Sequence, residues 1–326
     1  MVTIALDMMG SDLGPKELAK GVELFEQKYG DACKLILVGK KEELPEGKHE
    51  IEEAQDVLAM ETGAMDALRA KTSSMHRAVS LVKEGRAQGV VSCGSTGGFL
   101  SIATVVLRKI PGVDRAAFVA PFPTKIKGKP VIILDVGASN ENNAKELTQF
   151  ALLGSLYAKL IYQIEQPKVF LLSNGAEEGK GSPIVKEAYG LLKEDPKINF
   201  QGNIEARETL SGDADVIVCD GFTGNILLKA SEGVAKTMSG FIKKAFKRNI
   251  FSKIGYLLSR KGFKEMSETM DYKNVGGAML LGVNGVVVKA HGSSDGVAFF
   301  HSIEVAYRLL EGKLLEKIKE GLNQDE

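Results

Sequence analysis

Short apolar runs alternate with helical periods along almost the whole chain. VTIALD (2–7) leads through MMGSDLGP into the helix-patterned ELAKGVELFEQKYG, and KLILVG (34–39) leads into a charged turn. GVVSCGSTGG (89–98) opens FLSIATVVLRKI, and VIILDVGASN (131–140) opens a helical stretch from about Ala144 to Ile164. KVFLLSNGAEEGKGS (168–182) precedes PIVKEAYGLLKED, where Pro183 suits a first helical turn. DADVIVCDGFTGN opens ILLKASEGVAKTM, and GVVVKAHGSSDG (285–296) opens VAFFHSIEVAYRLL and KLLEKIKEGL. Short apolar strands alternating with amphipathic helices predict βα units around a mainly parallel sheet.

In such a sheet the strand-to-helix loops emerge at the carboxyl edge, and right-handed crossovers keep them there. Six loops that carry polar residues beside glycine are therefore expected to converge: near Gly10, Gly94 to Gly98, Gly137, Gly175 to Gly181, Gly221 to Gly224, and Gly292. Each is weak by itself in a chain with 36 glycines, but six together argue for a ligand carrying several oxygens. The most informative is DGFTGN (220–225), set between a strand pattern and a helix pattern. A glycine loop there aims unpaired backbone N–H groups and the positive end of a helix dipole at an anion, phosphate being the first expectation. Gly221 and Gly224 permit angles a Cβ forbids, while Thr223 and Asn225 add neutral donors. The alternative is a tight turn plus an N-cap.

At 326 residues the chain is read as one α/β unit over 1–326, with room for two lobes around a central crevice. Its 42 basic and 42 acidic residues cancel, so nothing draws it globally to nucleic acid. Cys33, Cys93 and Cys219 are scattered without a C-x-x-C spacing, which fits a reducing cytosol and no zinc. MVTIALD has no basic leader character, and no run approaches the ~18 apolar residues of a membrane span. A P-loop, a G-x-S-x-G elbow, an H-E-x-x-H and a first-turn Rossmann G-x-G-x-x-G are all missing, and nothing calls for a metal or cofactor. Of four histidines, only His291 ends a valine-rich strand directly before Gly-Ser-Ser-Asp. Asp7, Asp135, Asp220 and Asp295 stand at strand ends, where they are expected to pin loops by accepting backbone N–H bonds.

With these residues the chain resembles the bacterial phosphate acyltransferases of phospholipid synthesis. The likeness spans nearly the full length through ALDMMGSDLGP (5–15), TSSM (72–75), SCGSTGG (92–98), LDVGAS (134–139), NIEARETL (203–210), CDGFTGN (219–225), GGAMLLGVNG (276–285) and KAHGSSD (289–295). It implies a three-layer α/β/α fold like isopropylmalate dehydrogenase and phosphotransacetylase, a homodimer, and synthesis of acyl-phosphate from long-chain acyl-[acyl carrier protein] and inorganic phosphate. It also implies a cytoplasmic, peripherally membrane-associated enzyme whose product passes to a membrane glycerol-3-phosphate acyltransferase. By the same resemblance Lys180 polarises the thioester carbonyl and Asn225 orients phosphate. Amides from Gly221 to Gly224, with Thr223, complete the anion cradle; His291, Ser293 and Ser294 form a second wall, and Ser95 and Thr96 also face substrate. Lys180 otherwise reads as a flexible surface lysine in a polar loop. Ser95 and Ser139 stand where the family commonly has Asn, and Ser11 where it commonly has Gly; serine keeps an oxygen but loses the amide's reach.

The chemistry suits such loops. Phosphate is already nucleophilic near neutral pH, and a thiolate, from a thiol of pKa roughly 8.5, leaves readily, so no triad is required. Positioning and oxyanion stabilisation suffice.

One segment stands apart, a basic amphipathic helical insertion over 233–265. Between Glu232 and Glu265 there is no acidic residue but nine basic ones, among them Lys243, Lys244, Lys247, Arg248 and Lys264, interleaved with apolar residues such as Phe251 and Leu257. It can meet an anionic membrane, receive an acidic carrier protein, or form a dimer interface. Three competing functions remain in view: a metal- and nicotinamide-dependent decarboxylating dehydrogenase, whose aspartates and arginines cannot be assembled here, a phosphate acetyltransferase using acyl-coenzyme A, and a non-catalytic membrane scaffold.

Overall fold

Strand residues of both parities are apolar because the sheet is covered on both faces. In β1 (Val2–Asp7) Ile4 and Leu6 enter one core and Ala5 the other; β2 (Cys33–Gly39) repeats this with Leu35 and Leu37 against Ile36 and Val38. The computed structural model describes residues 1–270 and 277–323, with Gly276 of the GGAMLLGVNG motif and the side chain of Lys264 outside them. The remaining strands are β3 (Glu50–Glu53), β4 (Gly89–Ser92), β5 (Ala117–Phe122), β6 (Val131–Leu134), β7 (Val169–Ser173), β8 (Phe200–Glu205), β9 (Val216–Val218), β10 (Ala278–Leu281) and β11 (Val286–Lys289).

Helices cover the two faces. On one side α1 (Pro15–Tyr29), α5 (Ala144–Tyr162), α6 (Pro183–Glu194), α9 (Gly296–Glu311) and α10 (Leu314–Asn323) bury residues such as Phe25, Phe150, Leu192, Phe299 and Ile318. On the other, α2 (Ala64–Arg69), α3 (Ser74–Lys83) and α4 (Thr96–Leu107) contribute Ala67, Val79 and Phe99, and α7 (Gly221–Lys247) adds Leu227 and Leu228. The result is a three-layer α/β/α architecture. Local chemistry starts the helices where the sequence indicates. Pro183 follows the cap Ser182, whose oxygen accepts from the Val185 N–H at 3.4 Å, and α5 opens with a capping box between Asn143 and Glu146.

The strand order is β3-β2-β1-β4-β11-β10-β5-β6-β9-β7-β8. Pairing is parallel from β3 to β11 and again from β6 to β8, but β10 is antiparallel to both its neighbours and β5 is antiparallel to β6. The β6–β9–β7–β8 group therefore runs opposite to the β3–β2–β1–β4–β11 group. This corrects the expectation of one common carboxyl edge: the loops after β1, β4 and β11 leave one end of the sheet, and those after β6, β7 and β9 leave the other. The ends are still not far apart, because the strands are short. Lys289 pairs with Ala278, Met279 with Val119, and Val119 with Leu134, so Lys289 and Leu134 are nearly level. Three strand spacings, about 14 Å, separate them across the sheet.

Helix α7 bridges the two ends. It starts where β9 stops, and its third turn brings Lys229 within electrostatic range of Lys289. Beyond the sheet α7 continues into α8 (Ile250–Met270) through a turn at Arg248 and Asn249, where the Asn249 side chain accepts the Ser252 N–H at 2.8 Å. Phe246 closes the hairpin against Tyr256 and Phe263, with ring centroids 5.4 Å and 4.7 Å away. Among the described residues, no helix is long and apolar enough to cross a membrane.

Candidate active site

The loop after β6 is organised by Asp135, a buried carboxylate joined to Leu134 by a cis peptide. Its Oδ1 accepts N–H bonds from Phe118 (2.9 Å), Gly137 (3.1 Å) and Ala138 (2.9 Å), and its Oδ2 accepts from the Ser139 N–H (2.9 Å) and hydroxyl (2.8 Å). Burial pushes this carboxyl above its ordinary value, and those bonds oppose the push. Ser139 is buried and also lies 2.8 Å from Asn142 Oδ1, so its hydroxyl is directed into the scaffold. Asn142 is held in turn by Glu146 at 2.9 Å.

Helix α7 docks on this loop through its glycines. A Cβ on Gly221 would come within 2.1 Å of the Ser139 carbonyl oxygen, and one on Gly224 within 1.9 Å of the Asp135 carbonyl oxygen. Their role is close approach of two backbones. The amides between them are largely engaged: Gly221 N–H donates to Asn142 Oδ1 (3.1 Å), Thr223 N–H to the cap Asp220 (2.9 Å), and Gly224 N–H to the Asp220 carbonyl (2.9 Å). The Thr223 hydroxyl also donates to Asp220, at 2.7 Å. The expected amide cradle is therefore revised, since protein acceptors already fill most of it. What this helix end presents outward is Asn225, exposed and packed over Gly137, whose hypothetical Cβ would lie 3.3 Å from the Asn225 Cβ. The Asn225 amide makes no hydrogen bond to another described residue.

Lys180 sits in the loop between β7 and α6, on the strand next to β9. Asn174 closes this loop by accepting the Gly181 N–H at 2.9 Å, and Lys180 N–H donates to the Glu177 carbonyl at 3.0 Å. The lysine stem crosses Gly175, where a Cβ would meet the Lys180 Cγ at 2.7 Å, so a glycine is needed beneath it. The ammonium is exposed and has no acidic partner among the described residues. Lys180 and Asn225 thus belong to the same half of the sheet, on loops of neighbouring strands.

The residues expected to form a second wall lie at the opposite sheet end. Asp7, Ser92 and Lys289 end three adjacent strands in register, and all three are buried. Ser92 Oγ donates to Asp7 Oδ2 at 2.6 Å and accepts the Gly94 N–H at 3.1 Å, while Met9 N–H donates to Asp7 Oδ1 at 3.2 Å. Burial drives the Asp7 carboxyl up, against the Ser92, Ser74 and Met9 bonds and the Lys289 charge. It drives Lys289 down to about 8, opposed by Cys93, Asp7 and Asp12. Cys93 is pushed up to about 12 chiefly by burial, against the Lys289 charge. Ser95 is a buried N-cap of α4, accepting the Gly98 N–H at 3.3 Å, whereas Thr96 is exposed at its first turn. His291 is exposed; its Nδ1 accepts the Ser293 N–H (3.2 Å) and lies 2.9 Å from the Ser293 hydroxyl, so the accepting Nδ1 leaves Nε2 as the protonated ring nitrogen when the imidazole is neutral. Ser294 is buried, and its N–H donates to the His291 carbonyl at 3.0 Å.

The structure thus gathers the expected residues into two groups, Lys180 with Gly221 to Asn225 and Ser95–Thr96 with His291–Ser294, joined by α7. Asp7, Asp135, Asp220 and Asp295 all accept backbone N–H bonds, as their strand-end positions predict. Two residues escaped sequence reasoning. Lys289 lies inside the KAHGSSD motif, and its place as the last residue of a valine strand was the available signal; Asn142 reaches the α7 start across 79 positions, for which the sequence holds no sign.

The three-layer α/β/α fold is shared with phosphotransacylases of known structure. The branched-chain phosphotransacylase of Enterococcus faecalis V583 superposes with a TM-score of 0.62 at 18% identity, over 94% of this chain and 98% of that one. The phosphotransacetylase of Streptococcus pyogenes gives 0.63 at 17%, over 97% and 94%. At these identities the likeness is one of fold. Sequence relatives are much nearer: a phosphate acyltransferase of Fervidobacterium nodosum is 43% identical over 332 residues, covering 99% of this chain and 98% of that protein, and one from Sulfurimonas denitrificans is 42% identical over 337 residues, covering both chains fully. The chain belongs to the fatty acid synthesis protein family, whose model matches residues 2–317, and is an enzyme of its phosphate acyltransferase group.

Proposed function

We propose that the enzyme transfers a long-chain acyl group from an acyl-[acyl carrier protein] thioester to inorganic phosphate, releasing the carrier thiol and forming acyl-phosphate for phospholipid synthesis. The observation that carries this reading is Asn225: an exposed amide without a partner among the described residues, fixed near the start of α7 by two glycines that tolerate no Cβ. A neutral donor at a helix N-terminus orients an anionic nucleophile without cancelling its charge. Lys180, from the neighbouring loop, polarises the thioester carbonyl. Phosphate attacks the carbonyl carbon, the oxyanion collapses, and the C–S bond breaks to expel a thiolate, so neither triad nor base is needed. Thr96, His291 and Ser293 supply the opposite wall.

The α7–α8 hairpin supports action at a membrane surface. Lys243, Lys244, Lys247 and Arg248 are exposed and unpaired with any described acid, and they flank Phe251 and Leu257, which are 80% and 67% exposed. Such a surface suits an anionic bilayer at which the acyl product is handed to a membrane glycerol-3-phosphate acyltransferase, each cation contributing ~1 kcal/mol before screening. A homodimer would present two hairpins to one bilayer. The deciding experiment offers phosphate with palmitoyl-carrier protein or acetyl-coenzyme A and detects acyl-phosphate. Turnover of the first donor is expected; turnover of acetyl-coenzyme A alone would establish the acetyltransferase reading, and turnover of neither with retained vesicle binding would leave a scaffold.

A further inference from the structure

We infer that Lys289 is a positioning residue for this transfer: its buried ammonium ties the loop after β4 to the loop after β11 and holds Thr96, His291 and Ser293 toward the phosphate. The inference rests on the phosphate reading above. Lys289 is 8% exposed, and its Nζ donates to the Cys93 carbonyl at 3.2 Å and to the Ala290 carbonyl. Those carbonyls begin the two loops of the second wall, and no described carboxylate lies within ion-pairing distance of the ammonium. Burying a cation on neutral acceptors is costly, and an apolar side chain would fill the same site without that cost. What the cation adds is a pair of charge-assisted bonds that fix both loops, and a positive potential where an anionic substrate arrives. The charged and titratable groups around it are Asp7 of β1, Asp12 of the following loop, Cys93 after β4, and Lys229 of α7, which is itself paired with Glu232 at 3.0 Å. With an ordinary lysine lowered to about 8 by burial, the tie loses its charge within reach of assay pH.

The test compares wild type, K289M and K289R in acyl-phosphate formation from palmitoyl-carrier protein, with phosphate varied between pH 6.5 and 9.5. Wild-type kcat/KM for phosphate is expected to fall about tenfold per pH unit above about 8. K289R, cationic throughout, recovers turnover and loses that limb, whereas K289M loses at least about tenfold at pH 7, mainly through KM for phosphate. Amide exchange read on the same proteins should quicken in K289M at 94–98 and 292–296 and nowhere else. An alkaline limb shared by wild type and K289R, or K289M with wild-type kinetics and unchanged exchange, overturns the inference. Should K289M not fold, the K289R pH profile decides. If wild type makes no acyl-phosphate, the phosphate reading fails and the assigned role with it, a result set apart from the others because it appears before any substitution.

Discussion

Two buried aspartates end strands in the two halves of the sheet, Asp7 at the end of β1 and Asp135 just past β6, and their surroundings differ. Asp135 accepts four backbone N–H groups and one hydroxyl, all from its own loop and the adjacent β5. Asp7 accepts one backbone N–H, from Met9, with the side chains of Ser92 and Ser74 also bonded to it, and shares a row with the buried Lys289. The first arrangement builds a rigid, charge-saturated platform on which α7 lies. The second leaves an ionisable cation one strand beyond Ser92. A fixed neutral donor, Asn225, therefore stands on one half, and adjustable charge on the other, with α7 spanning them.

Substitutions can break or sharpen this contrast. The largest effect is expected for Lys180→Met, which removes the cation proposed to polarise the thioester carbonyl and should lower kcat by roughly 10²–10³ with an unchanged circular dichroism spectrum. A loss confined to KM would place Lys180 in binding alone. Next come the glycines. Gly224→Ala drives a Cβ into the Asp135 carbonyl (1.9 Å), and Gly10→Ala drives one against the Gly94 N (2.5 Å). Overpacking of this kind costs ~3 kcal/mol at the tighter site and less at the other, measured as urea midpoints. The reverse order would make the β1 end the more rigid of the two.

A third effect follows from Lys289. Its folded value of about 8 lies below the ordinary 10.5, so between those values the unfolded chain binds more protons and stability rises with pH. Relative to K289M, wild type should gain between pH 8 and pH 10, by at most roughly 3 kcal/mol. A flat difference would mean that the ammonium is not desolvated. The smallest effect per residue concerns the hairpin. Lys243→Glu with Lys247→Glu should weaken binding to anionic vesicles by roughly 1 kcal/mol or more per charge while sparing turnover of soluble donor. Intact flotation with lost turnover would instead assign the hairpin to the carrier protein.

Much of the fold was legible because its signals are local. Strand-length apolar runs, Pro183 behind Ser182 and the glycine turns each act over a few residues, and the elements they predict are present. The reversal was not legible. AFVAPF in β5 and AMLL in β10 are short apolar runs without alternation, and nothing in six or four residues states whether a strand runs up or down. For the site, residue types were readable while occupancy was not. DGFTGN shows a glycine-rich helix start, but whether its amides face a ligand or the protein depends on Asn142 and Asp135, some eighty residues earlier and brought there by tertiary packing. Ser95, expected to face substrate, also caps α4, because the hydroxyl that can bind an anion can equally accept the Gly98 N–H.

The most direct measurement is the steady-state rate of acyl-phosphate formation by Asn225→Ala at saturating palmitoyl-carrier protein, followed by phosphorus NMR as phosphate is varied. The account predicts a folded protein whose kcat/KM for phosphate is reduced about a hundredfold or more. A folded variant with wild-type phosphate kinetics would contradict it.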